Sequence, residues 1–163
     1  MLARLDNRLL YAMRTRFHSP GVENAMRLLG RLGNNGAIWL AICLVLALVD
    51  EGNRREWVRV ALLGPVMIVI NFAIKAVVRR QRPVLEGLPP LGGAPSSLSF
   101  PSAHASSAFA CATAATRIAP EGALLFIPAA LLAIGRPYLG MHYPSDVLGG
   151  IVLGAAVGLV VPL

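Results

Sequence analysis

The feature that most constrains this chain is a series of apolar runs divided by short charged or Pro/Gly-rich breaks. Ala37 to Val49 has no charged residue, and Trp57 to Val78 carries only Arg59 and Lys75, near its two ends. Pro101 to Thr116 is mostly Ala and Ser, while Ala123 to Ile134 and Val147 to Leu163 are again apolar. Such runs read as helices crossing a bilayer, the shorter ones borrowing a turn from their flanks or tilting little. A soluble domain does not need this much apolar residue: the 163-residue chain is 56% hydrophobic and 14% charged, with mean hydropathy +0.65. The expectation is an all-α membrane bundle of about five spans, forming a single domain over 1–163, with 37–163 as the bundle and 1–35 as an amphipathic N-terminal segment.

In that N-terminal segment Leu2, Leu5, Leu9, Met13 and Phe17 share one helical face, and Arg4, Arg8, Arg14 and Arg16 decorate the rest. The pattern suits a helix lying in the membrane interface and equally an amphipathic helix packed on the bundle. Ser19-Pro20-Gly21 breaks it, a weaker amphipathic piece follows over 22–32, and Asn34-Asn35-Gly36 punctuates again. Gly150, Gly154 and Gly158 put a repeated small residue on one face of the last run, which favours close helix contact. Cys43 and Cys111 both lie inside apolar runs, so no disulfide framework is implied.

Net charge is +7, and 14 of the 15 basic residues are arginine. No nucleic-acid motif accompanies them, so the expected partner is anionic lipid or a phosphorylated substrate. The stretch Gly135 to Gly150, GRPYLGMHYPSDVLGG, carries the densest chemistry. Pro144 and Ser145 read as a helix start with Asp146 in the first turn. Asp146 there can accept a hydrogen bond from His142, fixing its tautomer and aiming the other ring nitrogen outward. A histidine so held is a candidate nucleophile or base, although a capping aspartate and a solvated Arg136 in an interfacial loop would look alike.

Two further stretches alter that balance. Lys75 and Arg82 are seven apart, two helical turns, with Pro83 closing the helix. In Pro101-Ser102-Ala103-His104, Ser102 can cap a helix whose first N–H groups bind anions, with His104 beside them. Because spans alternate direction, all three stretches fall on one side of the membrane. Two histidines, several cations and a helix N-terminus then converge, as a phosphate site requires. The Pro-, Gly- and Ser-rich stretch 84–100 reads as a long loop, of the kind that often serves as a lid.

These stretches resemble the three motifs of the type 2 phosphatidic acid phosphatase superfamily, spread over about half the chain, residues 75–146. Lys75, Arg82 and Pro83 match the first. Pro101-Ser102-Ala103-His104 matches the second, with Ala for the usual Gly. Arg136, His142 and Asp146 match the third, with Gly135 for the usual Ser. The resemblance implies that His142 attacks phosphorus, oriented by Asp146, and that His104 protonates the leaving oxygen and then activates water. It implies that Lys75, Arg82, Ser102, the Ala103 N–H and Arg136 hold the phosphate oxygens, with no metal and no cofactor.

The substrate implied is a phosphorylated lipid reached from the membrane: a polyprenyl diphosphate, or a polyprenyl-phosphoryl phosphoribose, which the Ala-, Gly-, Val- and Arg-rich composition of a high-GC bacterium favours. Phosphatidylglycerol phosphate, phosphatidate, and a non-catalytic lipid-binding or transport role are the alternatives. Orientation follows from flanking basic residues. Arg4, Arg8, Arg14, Arg16, Arg27 and Arg31 precede the first apolar run, against Arg54, Arg55 and Arg117 opposite. This predicts an inner-membrane protein with its site facing the cytoplasm.

Overall fold

A computed structural model describes residues 2–92 and 97–163, so part of the 84–100 loop lies outside the described residues. All regular secondary structure among the described residues is helical. Seven helices follow in order: α1 (Leu2–Thr15), α2 (Pro20–Leu32), α3 (Ala37–Val49), α4 (Arg54–Val78), α5 (Ala103–Thr116), α6 (Phe126–Tyr138) and α7 (Pro144–Val160). Helices α3 to α7 fall on the five expected runs, with boundaries moved by a few residues. The last begins at Pro144 rather than Val147, and α6 continues through Arg136, which therefore sits in a helix and not in a loop.

Among the described residues, one helix is alone long and apolar enough to span a bilayer: Glu51–Val78, 28 residues, in which an 18-residue stretch has mean hydropathy 2.1. Pro20–Leu32 and Asn34–Val49 reach that standard only as a pair, bent by 52°. The bend is local chemistry. Asn35 (φ 54°) and Gly36 (φ 71°) take left-handed backbone, which Asn and Gly tolerate best. Gly36 also lets α3 start against α4, where an added Cβ would stand 3.1 Å from the Gly64 Cα.

Helix α5 is the centre of the bundle, contacting α4, α6 and α7. Its Ala105, Ala108, Ala110, Cys111, Ala112 and Ala114 are fully buried. Small side chains on every face allow three helices to approach at once. The closest approach is to α7, where Gly150, Gly154 and Gly158 meet the backbone of α5 at Ser102, Ser106 and Ala110 in matching four-residue steps. Large apolar residues point the other way: Val69, Phe72 and Val152 are 70%, 73% and 69% exposed. An interior of Ala and Ser inside a shell of Val, Leu and Phe suits lipid, where close backbone packing replaces the hydrophobic effect as the force between helices.

Helix α1 packs against α6 and α7 through Asp6, Leu10 and Arg14, which are buried, while Leu5 and Leu9 stay about half exposed. Leu5, Leu9 and Phe17 of the apolar stripe read from the sequence therefore face outward, while Met13 packs against Tyr138, Leu139 and Met141. The inward face is one step round the helix and largely polar. Helix α2 is capped by Ser19, whose Oγ accepts the Val22 N–H at 3.3 Å, and it packs on α6.

Candidate active site

The three motif stretches meet at one end of the bundle. Helix α4 stops at Val78 because Arg79 turns left-handed (φ 53°, ψ 31°), its N–H donating to the Lys75 carbonyl. Lys75 and Arg82 consequently do not share a helical face, and Pro83 does not close the helix. Lys75 lies in the last turn, and Arg82 lies on the loop folding back over α7. Both still line one cavity of about 240 Å³, together with Ala103, His104, Arg136 and His142. Ser102 and Asp146 are not on its wall but are fully buried close behind it.

His142 is the best-defined group. The Arg82 guanidinium lies 3.2 Å from Nε2, and a guanidinium can only donate. Nε2 must therefore carry a lone pair, and the proton belongs on Nδ1. Nδ1 lies 3.6 Å from the Asp146 Oδ2, an ion-pair separation somewhat longer than a hydrogen bond, and has no other partner. Burial pushes the imidazole down to about 4, although Asp146 pulls the other way, so the ring is neutral near pH 7. The cause lies in the fold, since His142 is 4% exposed on a loop between α6 and α7. Asp146 itself is held at the N-terminus of α7, its Oδ2 accepting the Tyr143 N–H at 2.8 Å.

The other oxygen of Asp146 meets a residue that the sequence reading treated as one more membrane-end arginine. Arg80 donates to Asp146 Oδ1 and to Asp6 Oδ2, both at 2.7 Å, and lies 4.2 Å over the Tyr143 ring. Asp6 also accepts the Ser145 N–H at 3.0 Å and the Ser145 hydroxyl at 2.5 Å. Burial would raise the Asp6 pKa, but its hydrogen bonds to Ser145 and Arg80 outweigh this and hold it below the usual carboxylate range. The first helix is thus pinned to the turn that carries His142 and Asp146. A signal was present: Asp6 is the only acid before Glu23, and it sits on the Leu10–Arg14 face of an arginine-rich helix.

The cations are arranged for an anion. Lys75 Nζ donates to the Leu98 carbonyl, and Arg82 donates to Ser97 and to the Met141 carbonyl. Arg136 is 2% exposed, and its Nε and Nη2 have no partner; the Ser102 hydroxyl is also buried and unpaired. Ser102 occupies the N-cap position of α5 but makes no side-chain cap bond, contrary to its expected capping role. Its N–H instead donates to the Asp146 carbonyl at 3.0 Å. Buried unpaired donors beside a cavity mark where a ligand supplies the missing acceptors. His104 Nε2 lies 3.2 Å from both the Gly30 carbonyl and Asn34 Oδ1, two acceptors on the α2 side, so that nitrogen carries the proton. Gly30 and Asn34 were not singled out from sequence as site residues, because nothing local ties them to His104, 74 and 70 residues away.

Comparison with known proteins gives the family and the fold. The chain belongs to the PAP2 superfamily, whose pattern residues 56–163 match, and it is a lipid-phosphate phosphatase of the membrane type. A decaprenylphosphoryl-5-phosphoribose phosphatase of Mycolicibacterium smegmatis is 42% identical over 133 residues, spanning 80% of this chain and 72% of its own. One of the same name from Mycobacterium tuberculosis is 39% identical over 145 residues, 87% of this chain and 80% of its own. Among solved structures, a transmembrane PAP2-type phosphatidylglycerolphosphate phosphatase of Bacillus subtilis superposes with TM-score 0.78 at 25% identity, covering 98% of this chain and 83% of its own. LpxE of Aquifex aeolicus shares the fold with TM-score 0.81 at 24% identity, covering 96% and 93%.

Proposed function

We propose that the chain removes the terminal phosphate of a polyprenyl-phosphoryl phosphoribose, through a phosphohistidine and without a metal. The observation that carries this reading is the His142 imidazole, neutral and presenting its Nε2 lone pair to a cavity lined by Lys75, Arg82 and Arg136. Nε2 attacks phosphorus, and the ester P–O bond breaks. The negative charge of the bound phosphate favours the doubly protonated His104, whose Nε2 proton passes to the leaving ribose oxygen. His104, now neutral, takes a proton from water as the water oxygen attacks phosphorus; the P–N bond breaks, freeing His142 and inorganic phosphate. Asp146 stabilises the positive charge that develops on the His142 ring. Lys75, Arg82, the Arg136 Nε and Nη2, the Ser102 hydroxyl and the Ala103 N–H take the equatorial oxygens, where charge grows in the transition state.

The substrate choice rests on the two relatives named for decaprenylphosphoryl-5-phosphoribose. The setting is the bacterial inner membrane: α3 to α7 as five spans, α1 in the interface with Leu5 and Leu9 outward, and the cavity on the cytoplasmic side. The basic residues flanking the spans support that orientation.

The test is phosphate release by the purified protein from a panel of polyprenyl-phosphoryl phosphoribose, polyprenyl diphosphate, phosphatidylglycerol phosphate and phosphatidate. The phosphoribosyl lipid is expected to be turned over best. His142→Ala should be folded and inactive, and His104→Ala severely impaired. Normal turnover by His142→Ala would overturn the mechanism, and a preference for another lipid would overturn the substrate.

A further inference from the structure

His104 stands in the wall between two cavities. On one side is the phosphate cavity. On the other is a second cavity of about 230 Å³ between α2 and the end of α6, whose lining includes Arg27, Arg31, Asn34, His104 and Arg136. The proton-bearing Nε2 of His104 faces α2, where the Gly30 carbonyl and Asn34 Oδ1 each lie 3.2 Å away. A group leaving phosphorus must meet that nitrogen to be protonated. The remainder of the leaving group then extends toward α2, away from His142.

What waits there is positive charge. Arg31 is exposed and makes no ion pair among the described residues, while Arg27 pairs with Glu23. Arg136 lines both cavities and keeps two buried N–H-bearing nitrogens unpaired. Arg136 comes close to α2: a Cβ on Gly30 would stand 2.2 Å from Arg136 Nη2, so a larger residue there would require the guanidinium to shift.

We propose that this second cavity is an anion subsite for the leaving group, taking a phosphodiester separated from the scissile phosphate by a short polyol, with Arg31 and Arg27 as its ligands. This rests on the phosphatase reading above and narrows its substrate class. A phosphoribose carried on a polyprenyl phosphate has that chemistry, and so does phosphatidylglycerol phosphate. Phosphatidate and a simple prenyl monophosphate do not.

The experiment compares wild type with Arg31→Ala and Arg27→Ala on three substrates: farnesylphosphoryl 5-phosphoribose, phosphatidylglycerol phosphate and farnesyl phosphate. The ratio of kcat/KM for the phosphoribosyl lipid to that for farnesyl phosphate is expected to fall about tenfold in Arg31→Ala, carried by KM, as for loss of one charge-assisted hydrogen bond. An unmoved ratio in both variants, with the phosphoribosyl lipid well turned over by wild type, overturns the subsite and leaves the substrate reading standing. Poor turnover of that lipid, with an arginine-dependent preference for phosphatidylglycerol phosphate, supports the subsite and overturns the ribose reading. No arginine dependence on either two-phosphate substrate overturns the subsite outright.

Discussion

Replacing Gly154 by alanine adds one methyl group where α5 and α7 have no room for it. That Cβ would lie 2.2 Å from the Ser106 carbonyl oxygen, 2.9 Å from its carbon and 3.0 Å from the Ala110 nitrogen. All are backbone atoms that cannot rotate away. Ordinary contact lies near 3.5 Å, so the helices must part by about 1 Å. Overpacking of this kind costs about 1–3 kcal/mol, against which alanine returns up to about 1 kcal/mol of helix propensity. A net loss of about 1–2 kcal/mol corresponds to a melting midpoint lower by about 5 °C at this chain length. Activity should suffer more. The N-termini of these helices carry Ala103, His104 and Asp146, and a misplacement of about 1 Å can reduce turnover about a hundredfold. The assay is a thermal scan in detergent beside phosphate release, with Leu159→Ala (61% exposed at Leu159) as the control for an outward-facing site. Gly154→Leu should not yield folded protein. If Gly154→Ala melts and turns over like wild type, the two backbones are not in contact and the reasoning fails.

Asp6→Asn should lower kcat with little change in KM and destabilise the protein by about 3 kcal/mol, because Arg80 and Ser145 lose a buried charged acceptor far from the phosphate; a KM effect alone would refute a positioning role. Acid should destabilise the fold through His142. Its native pKa of about 4 lies below the usual histidine value, so unfolded chains take up the proton first, and stability is full above about pH 6.5 and lost as pH falls toward 4. The melting midpoint should fall over that window, less so in His142→Asn, and an equal fall in both would assign the effect elsewhere. Phosphate release should persist in excess chelator and be inhibited by vanadate; loss with chelator, restored by Mg²⁺, would refute the metal-free scheme. Single cysteines at Gly52 and Gly92, in a background lacking Cys43 and Cys111, test orientation in intact cells. An impermeant thiol reagent should label Gly52→Cys and spare Gly92→Cys, and the reverse would put the site outside.

The helices were legible because their signals are local. Apolar runs, the Pro144-Ser145 start and the Asn35-Gly36 break act over a few residues, and each reappears as a helix, an N-terminus or a left-handed turn. The candidate site residues were legible for a similar reason: Lys75, Arg82, His104, Arg136, His142 and Asp146 lie in short stretches whose order along alternating helices already brings them to one end. The tertiary structure decided what depends on helices meeting far apart in sequence. It turned the chain at Arg79, so that Lys75 and Arg82 reach one cavity from different segments. It rotated α1 to bury Asp6 and leave Leu5 and Leu9 outside, since lipid can accept Leu5 and Leu9 while a buried carboxylate needs Arg80 and Ser145. It also set α2 beside His104, whose Nε2 meets the Gly30 carbonyl and Asn34 Oδ1. Periodicity gives a face its composition, but packing alone selects which neighbour that face meets.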